Sequence, residues 1–93
     1  MILGFRSKEA EKIWQGEVTK RLPPAIQIVA RRKLRMLNSA RRLDDLRIPT
    51  ANRLEALKGE RKGQHSIRIN EQWRICFRWV EAGPSDVEIV DYH

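Results

Sequence analysis

Residues 65–80, HSIRINEQWRICFRWV, decide how this chain folds. Over Gln72–Val80 the residues alternate strictly. Trp73, Ile75, Phe77 and Trp79 take one face, and Arg74, Cys76 and Arg78 take the other. A period of two is the pattern of a strand buried on one side and wet on the other. His65–Asn70 repeats it, with Ile67 and Ile69 on one face and Arg68 and Asn70 on the other. Asn70-Glu71-Gln72 is the length of a tight hairpin connection, so the two strands are expected to pair antiparallel.

Towards the C-terminus, Glu81–Ser85 contains Gly83-Pro84 and reads as the next turn. Asp86–Tyr92 then reads as a last strand, with Val87 and Ile89 alternating. In the other direction, Arg53–Lys58 is a candidate short strand ending at Gly59, and Leu43 and Leu46 suggest a helical turn before Pro49. Before these the period lengthens. Ile26, Ala30, Leu34 and Leu37 share one narrow sector at helical spacing, with Val29 beside them. Arg31, Arg32 and Arg35 lie opposite, and Pro23-Pro24 suits the helix start. A shorter helix is expected after Ser7, a good N-cap, with Glu9 and Glu11 in its first turn. Its apolar face is Ala10, Ile13 and Trp14, and Gly16 is a natural stop. Met1–Phe5 reads as a short N-terminal strand. The fold class is therefore α+β: a short strand, two to three helices, then an antiparallel sheet whose uncovered face carries Arg74 and Arg78.

With 93 residues, one domain spanning positions 1–93 is expected. Charged residues make up 33% of the chain, and no apolar run approaches the roughly 20 residues a membrane span needs. No secretory signal is visible at Met1, and Cys76 is the sole cysteine, so a cytoplasmic protein without internal disulfides is expected. The net charge is +7, which favours polyanionic partners such as RNA, DNA or the ribosome. It is unevenly spread. Residues 31–53 carry a local +6, whereas residues 80–93 carry four acids and no Lys or Arg.

A basic helix face is most often a plain solvated surface. Guanidiniums repeated on a half-covered sheet, Arg68, Arg74 and Arg78, can bind phosphates in pairs of hydrogen bonds, and equally can form a ring of surface charges beside Glu60 and Glu71. Two histidines, His65 and His93, are too few for a His-rich metal site. His65 reads as an ordinary surface or half-buried residue, and Cys76 as a small buried side chain. A chain-terminal histidine usually frays, yet the imidazole of His93 titrates near neutrality and suits proton transfer. There is no Gly-rich phosphate loop, Ser–His–Asp order or His-x-x-x-His pair. Residue chemistry alone stops at a basic α+β domain for which RNA is one candidate ligand.

The run NRLEALKGERKGQHSIRINEQWRICF from Asn52 to Phe77, followed by DVEIVDYH from Asp86 to His93, resembles the HigB toxins of the RelE superfamily. Its most specific parts are L-x-x-L-K-G, the S-I-R-I-N-x-Q-W-R-I-C-F hairpin and the terminal D-Y-H. The resemblance implies a microbial-RNase-like α+β fold and the toxin of a type II toxin–antitoxin system. It implies an endoribonuclease that cuts translated mRNA on the ribosome, needs no cofactor or metal, and arrests growth. The implied partners are a helix-turn-helix antitoxin of the HigA type, the ribosome with its mRNA, and operator DNA mainly through the antitoxin. Carried onto this chain, the catalytic positions are Lys58, Arg74, Asp91, Tyr92 and His93. Lys58 and Arg74 would meet the phosphate, His93 would move the proton, Asp91 would orient it, and Tyr92 would stack on a base or supply a hydroxyl. Arg53, Arg61, Arg68 and Arg78 would hold the RNA backbone. Some relatives carry histidine where this chain has Glu55, a carboxylate that can act as base, orient a neighbour or be inert. A passive nucleic-acid-binding module and an inactivated toxin are the competing readings.

Overall fold

The computed structural model describes residues 1–92. Helix α1 (Lys8–Trp14) starts where the Ser7 hydroxyl accepts the Ala10 N–H, so a side chain satisfies a donor the helix cannot. Helix α2 (Pro24–Ser39) begins with proline, whose missing N–H costs nothing in the first turn. Two 3₁₀ turns follow, Leu43–Arg47 and Thr50–Asn52. The four strands are β1 (Glu55–Ala56), β2 (His65–Arg68), β3 (Trp73–Val80) and β4 (Gly83–Asp91). A further 3₁₀ turn, Gly59–Arg61, lies between β1 and β2. The sheet runs β1-β2-β3-β4, every neighbouring pair antiparallel. This is the expected α+β arrangement.

Strand parity decides which side chains meet the helices. Ile67, Ile75, Phe77 and Val87 point to one face and are fully buried against Ile13, Leu34 and Leu37 of the helices. Each such side chain contributes about 1.5–3 kcal/mol when removed from water. The helical sector expected around Ile26, Ala30, Leu34 and Leu37 is the buried one. His65 also has this parity. Its ring stacks on Phe77, it is half-buried, and burial together with the nearby Arg47 charge lowers its pKa. No helix among the described residues is long and apolar enough to cross a membrane.

Three details depart from the sequence reading. Met1–Phe5 does not form a strand of its own; it makes one isolated parallel bridge, Phe5 to Val87, along the outer edge of β4. Gly83 and Pro84 are not turn residues but the start of β4, paired with Val80 and Trp79, and Glu81-Ala82 alone makes the turn. Pro84 is tolerated because β4 is an outer strand of the ladder, where a missing N–H breaks no sheet bond. The short strand expected in Arg53–Lys58 is reduced to Glu55–Ala56. Between Cys76 and Arg78 the ladder slips by one residue, and Asp86 takes up the extra step at φ 51°. This bulge keeps Val87 in the core and Glu88 on the polar face.

Candidate active site

The face of the sheet away from the core is built in rows. Register places Glu55, Ser66, Cys76 and Glu88 side by side across all four strands, and Arg68 beside Arg74 in the adjoining row. Arg74 is the centre of the arrangement. Its Nη1 donates to Ser66 Oγ at 2.6 Å and to the carbonyl of Arg53 at 3.3 Å, and pairs with Glu55 Oε1 at 3.2 Å. The Tyr92 ring lies 5.3 Å from the guanidinium carbon, a cation–π contact. Although it is an arginine on the uncovered face, its side chain is only 12% exposed. Among the described residues all its hydrogen bonds pass through Nη1, so the Nε–Nη2 edge is left for an incoming anion.

Local backbone chemistry sets up these anchors. Arg53 closes the Thr50–Asn52 turn with φ 46° and ψ 54°, a left-handed conformation that turns its carbonyl towards Arg74. The Asn70 side chain accepts the N–H groups of Gln72 and Trp73 at 2.9 and 2.8 Å, which closes the β2–β3 hairpin. The Tyr92 N–H donates to the Gln72 carbonyl at 2.6 Å, so Tyr92 stays beside β3 after β4 has ended. Arg53, Arg68, Glu71, Arg74 and Tyr92 thereby line an open cleft of about 340 Å³.

The other expected site residues fall into two groups. Lys58 is exposed at the start of the Gly59–Arg61 turn, and none of its polar contacts links it to the Arg74 cluster. Arg61 and Arg78 share the polar face but lie outside the cleft. Arg61 pairs with Glu88 at 3.3 Å and Arg78 with Asp86 at 3.6 Å. Burial alone would lower the Arg61 pKa; donation of its hydrogen bond to the Glu88 carboxylate, with the charge of Glu88, reverses this and raises it. Arg68 is held more loosely, 3.9 Å from Glu71. Asp91 sits opposite Trp73, so strand parity turns it away from Arg74, and its Oδ2 accepts from Gln72 Nε2 at 3.1 Å. His93 lies outside the described residues. Cys76, fully buried beneath the charged row, has its thiol pKa raised by burial.

Sequence reasoning missed two groups. Ser66 has the parity of Arg68, and a buried hydroxyl two positions before an arginine on the same face was a readable signal. Lys33, buried on α2 with its amine donating to Asn52, carries no such signal, being one cation among several on that helix. Among the described residues no group of three or more His, Cys, Asp or Glu side chains could hold a metal ion.

The HigB-like toxin family model, described as the RelE-like toxin HigB of type II toxin–antitoxin systems, matches residues 3–93. The chain belongs to the HigB-like toxin family. Toxin HigB-1 of Vibrio cholerae is 43% identical over 83 residues, covering 88% of this chain and 87% of the relative. Endoribonuclease HigB of Proteus vulgaris is 27% identical over 93 residues, the full length of both. The family match spans both halves of the cleft, from the Thr50–Asn52 turn to Tyr92.

Proposed function

We infer that residues 1–93 form one toxin domain that acts as an endoribonuclease on translated mRNA and is neutralised by a HigA-type antitoxin. The activity is the one named for the Proteus vulgaris relative. The observation that carries the reading to this chain is Arg74: a guanidinium held by two hydrogen bonds, an ion pair and an aromatic ring, with one edge left open in a cleft of RNA-binding residue types.

RNA brings its own nucleophile, the 2′-OH next to the scissile phosphate. Cleavage needs that proton removed, the extra phosphate charge stabilised and the departing 5′ oxygen protonated. Arg74 would face the phosphate with its Nε–Nη2 edge. Because its anchors are already formed, little reorganisation is needed as charge develops. Glu55 is a positioning residue in this scheme, since its carboxylate is engaged with Arg74. Tyr92 would stack on a base at the cleft mouth, and Arg53 and Arg68 would hold adjoining phosphates. Lys58 would approach the phosphate from its exposed turn. His93 would transfer the proton, with Asp91 orienting it. The product would be a 2′,3′-cyclic phosphate and a free 5′-hydroxyl. A cleft this open selects single strands poorly by itself, which favours a ribosome that presents the mRNA. Cytoplasmic action follows from that substrate.

The test is cleavage of mRNA on programmed ribosomes by the purified chain, with ends mapped and the cyclic phosphate detected. Cleavage lost in Arg74→Ala and restored with the wild-type chain supports the reading. Absence of cleavage by the wild-type chain on and off ribosomes would refute it.

A further inference from the structure

A second cleft, of about 420 Å³, adjoins the first between α2 and the β2–β3 hairpin. The two share Arg53, Arg68 and Asn70, so they are immediate neighbours. Its size falls within the roughly 300–1,000 Å³ of small-molecule sites. The composition is lopsided: Arg32, Lys33, Arg53 and Arg68 line it with no acidic residue, while Val29, Ala51 and Ile69 form an apolar wall.

Lys33 is its most unusual member. The residue is 9% exposed, and among the described residues its amine has one hydrogen bond, to the Oδ1 of Asn52. Asn52 is fully buried and fixed by donation to the Leu46 carbonyl at 3.1 Å, so its oxygen stays on the lysine. A neutral amide solvates an ammonium but does not neutralise it. A buried cation without a counter-charge is unfavourable, and a cation cluster beside it makes it more so. In keeping with this, burial and the charge of Arg32 lower the Lys33 pKa. An anion in the cleft would give Lys33 a counter-charge and offset the repulsion among the cations around it. The apolar wall, in turn, fits the face of a base and not a bare inorganic ion.

We propose that this second cleft is a nucleotide subsite, which takes the RNA unit next to the one at Arg74, its phosphate on Lys33, Arg32 and Arg53 and its base on Val29, Ala51 and Ile69. The inference rests on the RNA-cleaving reading of the Arg74 cleft and adds a second binding position to it. Arg53 and Arg68 stand between the two clefts, where a continuous strand would pass from one to the other. Lys33 is a binding and positioning residue here and takes no part in proton transfer.

The probes are mixed-sequence 2′-O-methyl oligonucleotides, which cannot be cleaved, titrated into the ¹⁵N-labelled full chain and followed by amide shifts. A dinucleotide should shift amides around Arg74 and Tyr92. A trinucleotide should also shift residues 29–33 and 51–53, and bind roughly tenfold tighter. Arg32→Ala, an exposed change, and Lys33→Gln, which keeps a donor for Asn52, should each lose most of that gain and leave dinucleotide affinity within twofold. Lys33→Arg should recover part of it. If Arg32→Ala and a folded Lys33→Gln keep the full gain while Arg74→Ala weakens both oligonucleotides, the subsite is refuted and the RNA-cleaving reading stands. If Arg74→Ala changes neither affinity, or the wild-type chain shows no shifts, the underlying reading fails too. A nucleoside monophosphate that shifts residues 29–33 as tightly as the trinucleotide does would identify a free-nucleotide site and overturn the strand subsite.

Discussion

Replacing Arg74 separates charge from anchoring. Arg74→Ala removes the cation facing the scissile phosphate. Loss of one preorganised charge-stabilising donor costs about 10²–10³ in rate, or about 2.7–4 kcal/mol of barrier. Arg74→Lys keeps the charge, but a single ammonium cannot hold Glu55, Ser66 and the Arg53 carbonyl and still present a free edge. It should therefore fall roughly tenfold or more below wild type, between the other two enzymes. Both variants should fold. The ion pair contributes little, because Glu55 is 48% exposed. The main loss in Arg74→Ala is at Ser66, whose buried hydroxyl is left without its partner, at about 1–3 kcal/mol. In a domain of this size each kcal/mol lowers the melting midpoint by about 4–8 °C. Single-turnover cleavage on programmed ribosomes, run well below the midpoint measured for each variant, gives the rates. A lysine variant as fast as wild type would refute the anchoring argument, and a folded alanine variant at the wild-type rate would remove Arg74 from the chemistry.

Glu55→Gln should keep a polar contact with Arg74 and lose no more than roughly tenfold in rate, leaving the acidic limb of the pH–rate profile in place; loss of that limb would instead make Glu55 the base. Tyr92→Phe should stay within a few-fold of wild type in the same assay, whereas Tyr92→Ala should lose affinity for short RNA by up to roughly tenfold, as the stacked ring is removed. Equal losses in both would point to the hydroxyl. His65 has its pKa lowered from the ordinary 6.5, so the unfolded chain binds the proton more readily. Stability should be full above that value and decline as pH falls through it towards the lower folded pKa, and the decline measured by urea titration should flatten in His65→Phe. Cys76 should resist an exposed-thiol reagent in the native chain and react at once in denaturant, because burial keeps it protonated and shielded.

Much of the fold was legible because its signals are local. Alternation through Trp73–Val80, the helical sector on α2 and the Ser7 cap each depend on residues a few positions apart. The same locality explains the errors. Gly83-Pro84 looks like a turn in isolation, yet Glu81-Ala82 completes the hairpin, and the proline fits an outer strand. Met1–Phe5 has strand composition but reaches β4 through a single bridge. At the site, Arg53, Arg68, Arg74 and Tyr92 were named from the sequence and do converge. Arg61 and Arg78 were named by the same logic and instead pair with Glu88 and Asp86, partners supplied by a strand that is distant in sequence from Arg61 and slipped in register from Arg78.

The amino-acid order by itself determined the α+β class, the antiparallel hairpin and the separation of an aromatic face from an arginine face, since side-chain parity and helical period need no knowledge of distant partners. Tertiary structure alone decided which arginine is held ready. Arg74 gains Glu55 and Ser66 from the register of three strands, the Arg53 carbonyl from a left-handed turn and the Tyr92 ring from the end of β4. Lys33 became part of a cleft only when α2 packed against the Thr50–Asn52 turn and the hairpin. Charge is a property of composition, but its burial and its partners come from contacts between segments far apart in the chain.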